Sequence, residues 1–210
     1  RQAADLIEKQ RLLNEYKYLS VRSLEIVKRA GVARSPADME ELDKVLAHPL
    51  LADERLTGSV SALLFFYDCH IFYCFSDRQY ARMLPWLEKI LRLLESIPEV
   101  IRRYPTRYSD MLYNYVNCLA NVGRYKEMFA ALQKLKRLPI SSDMLAARNF
   151  YSAYFLELEF YLKCAEFGKA VRTVRQIEEG AAQQGIPFPN KEVESLFYGD
   201  SARAYFGIGD

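Results

Sequence analysis

Histidine is almost missing from this sequence, with His48 and His70 alone among 210 residues, and the four cysteines include no Cys-x-x-Cys pair. A zinc site of ordinary ligand spacing therefore has no carrier, and no metal or other cofactor is expected. Cys69, Cys74, Cys118 and Cys164 all fall in apolar stretches that read as helix, which predicts four buried thiols rather than a disulfide frame. Reduced, cytoplasmic surroundings fit that usage. Excess charge of one sign is lacking too, since 29 Lys+Arg against 27 Asp+Glu leave +2. Nothing in that balance calls for nucleic acid or an anionic membrane, and no nucleic-acid-binding motif is present. The longest apolar run, 63–75, is broken by Asp68 and His70 and is too short to span a bilayer. The opening residues carry no signal-peptide pattern. Because the chain opens on Arg1 and closes on Asp210 inside a motif, it reads as a piece of a longer polypeptide.

Strict apolar alternation with β-branched residues is absent, whereas helical periodicity runs almost throughout, so the expected class is all-α. Half of the residues are hydrophobic, and 15 Tyr and 12 Phe stand against a single Trp, enough bulk to fill helix crossings. Residues 2–30 predict one long helix or two joined ones, with Gly31 placed to end it. Ser35-Pro36-Ala37-Asp38 supplies an N-cap, a proline at the first helical position and an acid in the first turn, opening a short helix to about Ala47 that His48-Pro49 closes. From Asp53 onward helices come in pairs: 57–76 with 78–96, 108–122 with 124–138, 142–164 with 167–180, and an incomplete last unit over 190–210. Residues 1–52 match none of the pairs and read as an N-terminal helical cap on one continuous domain of repeats over 53–210.

The turns within the pairs recur. Gly123-Arg124-Tyr125-Lys126-Glu127 returns as Ala165-Glu166-Phe167-Gly168-Lys169-Ala170, again as Gly207-Ile208-Gly209-Asp210, and more faintly as Arg78-Gln79-Tyr80-Ala81. Tyr80 precedes Tyr125 by 45 residues, Tyr125 precedes Phe167 by 42, and Ala165 precedes Gly209 by 44. A fixed period of this size signals a repeat array. On these residues the chain resembles the tetratricopeptide-repeat family. A bulky fourth position is held by Tyr67, Leu112, Tyr154 and Tyr198, and the eleventh by Cys74, Leu119, Tyr161 and Tyr205. Inward positions of the second helices fall on Met83, Leu87 and Ile90, then Met128, Leu132 and Leu135, then Ala170, Val174 and Ile177. The sequence departs from the family at the eighth position, where Ile71, Val116 and Leu158 precede Ala202, and in a period longer than the family's 34 residues. Wider hairpins with longer helices or loops follow. The resemblance implies a superhelical solenoid of helical hairpins.

What the resemblance implies for function is a concave groove lined by the first helices of the pairs. Carried onto this sequence, the family's groove positions fall on Asp68, Phe72 and Phe75, on Tyr113, Asn117 and Asn121, on Phe155, Glu159 and Lys163, and on Arg203 and Phe206. Asparagine can donate and accept at once, which suits an extended peptide backbone, and aromatics supply rigid contact area. The paired cations and asparagines with which some family members clamp a terminal carboxylate are not reproduced. Catalysis has no carrier in the sequence: Cys69 and His70 are neighbours on a helix and diverge by about 100°. The expected role is a non-enzymatic scaffold or adaptor whose partner is a protein or peptide segment. The alternative is a ligand- or peptide-sensing regulatory domain of a larger regulator. Neither partner identity nor oligomeric state is encoded here.

Overall fold

A computed structural model describes residues 2–30, 35–138 and 143–209. Among the described residues the protein is all-α, with ten α-helices, two short 3-10 turns and no strand. By its internal contacts the chain divides into two compact units, Arg1–Leu93 and Leu94–Asp210.

The first unit holds α1 (Gln2–Ala30), α2 (Pro36–Leu46), α3 (Val60–Ser76) and most of α4 (Tyr80–Glu95). Helix α2 starts where its sequence says it should. Ser35 Oγ accepts from the Asp38 backbone N–H, and the Asp38 carboxylate accepts from the Ser35 N–H at 3.0 Å. That capping box satisfies two of the donors a helix start leaves open. Helix α3 is apolar on nearly all sides, and a helix of that kind must be surrounded. It packs on α1 and α2, with Phe66, Cys69, Ile71 and Cys74 buried. Tyr16 of α1 is fully buried, its ring 6.5 Å from that of Phe66 and its hydroxyl donating to the Leu50 carbonyl at 2.8 Å. Residues 1–52, expected as a cap, thus share one core with α3. The Gly31 expected to end α1 lies outside the described residues.

The second unit holds α5 (Pro98–Arg103), α6 (Pro105–Asn121), α7 (Tyr125–Lys136), α8 (Asp143–Lys163), α9 (Phe167–Gln184) and α10 (Lys191–Ile208). Helix α6 packs on both α7 and α8; α7 packs on α8; α8 packs on α9 and α10; α9 packs on α10. Each helix touches its successor, and α6, α8 and α10 also touch in series. Gly207 presses its backbone against the Phe167 ring, so closely that a Cβ there would lie 2.2 Å from the ring. Pro98 stands just after the end of α4. It also opens α5, a six-residue helix the periodicity did not reveal, because proline's fixed φ suits the first helical position as well as a stop.

All nine inward positions assigned to the second helices are buried, none more than 2% exposed. Four joints share one backbone form. Arg78, Gly123, Ala165 and Gly209 all adopt left-handed φ, from 52° to 80°. At the first three the following N–H reaches back five residues: Gln79 to the Cys74 carbonyl, Arg124 to Leu119 and Glu166 to Tyr161, at 2.8 to 3.0 Å. This is the Schellman closure, which satisfies carbonyls that a helix end would otherwise expose.

Cys164 corrects the expectation of four buried thiols. It is exposed, because it sits in the turn that follows α8 rather than on that helix's inner face, whereas the other three are buried.

Candidate functional site

Four of the residues expected to face a partner come together in the second unit. Asn117 and Asn121 of α6 and Glu159 and Lys163 of α8 line one open cleft of about 190 Å³. Spacings of four put each pair on one helix face, and direct packing of α6 on α8 sets the two faces side by side. Tyr125, Leu156, Phe160 and Cys164 complete the lining together with Ala120. Phe160 meets Tyr125 edge-on at 5.1 Å and Phe129 at 5.3 Å, so the aromatic wall is braced from α7.

The polar groups of the cleft are hydrogen-bonded or paired within each helix. Asn121 Nδ2 donates to the Asn117 backbone carbonyl at 2.8 Å and to Asn117 Oδ1 at 2.9 Å. A carbonyl can only accept, so the Asn121 amide orientation is fixed, and that of Asn117 follows from it. The pairing leaves one acceptor, Asn121 Oδ1, and one donor group, Asn117 Nδ2, with no partner among the described residues. Across the cleft Lys163 Nζ pairs with Glu159 Oε1 at 2.8 Å, both side chains more than half exposed. Such a pair is worth only a few tenths of a kcal/mol, about 0.3–0.5, so either charge is free to exchange partners. Tyr113 lies one helical turn from Asn117. Burial raises the pKa of its hydroxyl above the ordinary phenol value, and the Glu159 charge pushes the same way.

The remaining expected residues go elsewhere. Asp68 is buried in the first unit, where Ser20 Oγ of α1 donates to its carboxylate at 3.4 Å. The near-complete enclosure of α3 explains this: α1 covers the side that the carry-over left open. Phe72, also on α3, is half-buried. Phe155 is half-buried and packs against the core of the second unit, its ring parallel to Phe197 of α10 at 6.3 Å. Arg203 pairs with Asp200 one turn away on α10 at 2.9 Å. Leu156, Phe160 and Cys164 were not expected in the cleft, although their spacing of four, running along α8 into the turn after it beside Glu159 and Lys163, was a usable signal. Tyr125 was recognised only as a turn residue.

Cys69 and His70 form no dyad. The buried Cys69 thiol is pushed up to about 12 by burial and hydrogen-bonds with Ser23. Among the described residues no group of His, Cys, Asp and Glu could hold a metal ion, and no helix is long and apolar enough to cross a membrane. No family model, curated protein or solved structure matches the chain.

Proposed function

We propose that the chain is a tetratricopeptide-like array of helical hairpins, superhelical in its stacking. In this reading it acts as a non-enzymatic interaction module that holds a peptide or helical segment of a protein partner in the α6/α8 cleft. The observation that carries the reading is the meeting of Asn117, Asn121, Glu159 and Lys163, taken from equivalent positions of two successive repeats, in one cleft. Two further features support it. The four left-handed joints recur at the period read from the turns, and in the second unit α6 touches α8 and α8 touches α10 as well as their own partners α7 and α9.

The cleft chemistry fits an extended backbone. Asn117 Nδ2 and Asn121 Oδ1 present a donor beside an acceptor, the complement of the C=O and N–H that one residue of an extended chain turns to the same side. Tyr125 and Phe160 offer apolar area for a neighbouring side chain, and the Glu159–Lys163 pair can re-partner with a charge of either sign.

Selection of peptides from a displayed random library on the whole chain, followed by affinity measurement, tests the reading. The double variant Asn117→Ala/Asn121→Ala and the charge swap Glu159→Lys/Lys163→Glu should each weaken the selected peptides by roughly tenfold or more, the order expected when hydrogen bonds at a desolvated contact are lost. Selected peptides that bind both variants as they bind the parent would move the binding face away from this cleft.

A further inference from the structure

A second cavity of the same unit, about 320 Å³, lies where the 185–190 connection joins α9 to α10. None of its lining residues belongs to the α6/α8 cleft. Its size falls within the roughly 300–1,000 Å³ typical of small-molecule sites.

The lining is unusual in composition. Four aromatic rings contribute: Tyr151, Phe188, Phe197 and Tyr198. Tyr151 and Phe197 are almost fully buried behind the surface, while Tyr198 is 59% exposed. Phe188 stacks on Tyr151 at 4.7 Å and lies 5.5 Å from Phe197, so the rings brace one another. Aliphatic Ile177 and Ala181 close the α9 side, where Glu178 supplies the lining's one charge. The Glu178 carboxylate forms no ion pair or hydrogen bond with any other described residue. The Tyr151 hydroxyl is already committed, donating to the Ile186 carbonyl at 3.1 Å.

We propose that this cavity binds the head of an organic cation, specifically a quaternary or fully methylated ammonium group. Aromatic faces carry negative quadrupole potential and attract cations that can shed their water, and a single unpaired carboxylate at the rim adds charge of the right sign. A primary ammonium brings three N–H donors that the apolar rings cannot satisfy, and burying unmet donors is costly. A methylated nitrogen has no such donors and keeps its charge. A neutral ligand of the same shape would gain the apolar contacts but neither the π nor the carboxylate attraction.

The chemistry could be presented by a free small molecule or by a trimethylated lysine in a peptide, and the two are separated by titrating each. Choline, its uncharged carbon isostere 3,3-dimethylbutanol, and a short peptide carrying either trimethyl-lysine or lysine are added to the whole chain and followed by calorimetry and by aromatic NMR shifts. Binding of choline or of the trimethyl-lysine peptide should exceed that of its control by roughly tenfold, and should fall by a similar factor in Glu178→Gln and in Tyr198→Ala. Both variants alter exposed side chains, and unchanged helical circular dichroism confirms that they fold. Preference for choline identifies a free ligand; preference for the peptide identifies a modified protein partner. Three results overturn the proposal: equal binding of 3,3-dimethylbutanol and choline, affinity unaffected by both variants, or no binding of either methylated cation at millimolar concentration. Since the two sites share no residue, the peptide selection on the α6/α8 cleft can fail without touching this result.

Discussion

Lys136 and Glu157 form a nearly enclosed ion pair between α7 and α8, Nζ to Oε2 at 2.6 Å, with 13% and 10% of the two side chains exposed. The ammonium also lies 3.8 Å from the centre of the Tyr154 ring, so its remaining charge meets a π face in place of water. Enclosed pairs seldom add much over apolar residues of the same size, but losing one partner strands the other charge. Lys136→Met and Glu157→Gln should each destabilise the chain by about 3–5 kcal/mol in urea unfolding, whereas Lys136→Met/Glu157→Leu should recover most of the loss. Single variants within about 0.5 kcal/mol of the parent, the scatter of ordinary surface changes, would show the pair to be solvated.

In the first unit His70 stacks on Trp86 at 4.3 Å and lies 4.6 Å from Phe66. Its Nε2 is buried without a hydrogen-bond partner among the described residues. Burial pulls the imidazole pKa below its ordinary value, and the Lys89 charge adds to this, against an opposing hydrogen bond to the Leu51 backbone. The folded state thus takes up its proton at lower pH than the unfolded state, which titrates near 6.5. Below that value the unfolded chain binds more protons, so the contribution of neutral His70 is present above it and is lost as pH falls through the folded value. Stability followed by Trp86 fluorescence should decline from about pH 6.5 downward, and His70→Phe, which keeps the stacking and removes the titration, should flatten that decline. Equal slopes for parent and variant would assign the acid response to other groups.

What the sequence disclosed here was local, and what it concealed was decided by neighbours. The Ser35 capping box and the joints near Tyr80, Tyr125 and Phe167 depend on a few adjacent residues, and each is found where the sequence places it. The inward stripes of α4, α7 and α9 were equally legible, because period and burial coincide on an amphipathic helix. Helix α3 defeated the same logic. It is apolar all round, so periodicity could not say which side stays open, and Asp68 was placed on the wrong one. Phe155 was assigned to an open face because a partner ring on α10, Phe197, lies 42 residues away and leaves no mark on the local pattern. The pairing of Asn117 with Asn121 was visible as a spacing, but its consequence, one donor and one acceptor left over, required the hydrogen-bond directions.

The cysteines separate by environment in a way that reagents can read. Cys69 is held at about 12 by burial, Cys74 is raised by the same cause, and Cys118 is wholly enclosed. Cys164 is exposed at the end of the α6/α8 cleft. A thiol reacts as its thiolate and only when reached. An aromatic disulfide reagent should therefore label one cysteine rapidly in the native chain and four after denaturation, and Cys164→Ser should remove the fast phase. A second fast thiol in the native chain would mean that α3 or α6 opens on the labelling timescale.

If the four joints are equivalent, their residues should respond to glycine and alanine in opposite directions. Left-handed φ costs a residue with a Cβ about 1–2 kcal/mol, and glycine carries no such penalty. Gly123 already stands in that conformation at φ 78°, whereas Ala165 occupies it at φ 55° with a side chain. A Cβ on Gly123 would meet no atom within 4 Å, so Gly123→Ala isolates the backbone penalty from any clash. It should lower stability by about 1 kcal/mol, and Ala165→Gly should raise it by a similar amount less the extra unfolded-chain entropy of glycine. Both changes are measured by urea unfolding of the whole chain. A loss at Ala165→Gly would mean that this joint is set by packing around α8 and α9 rather than by the closure it shares with the Gly123 turn.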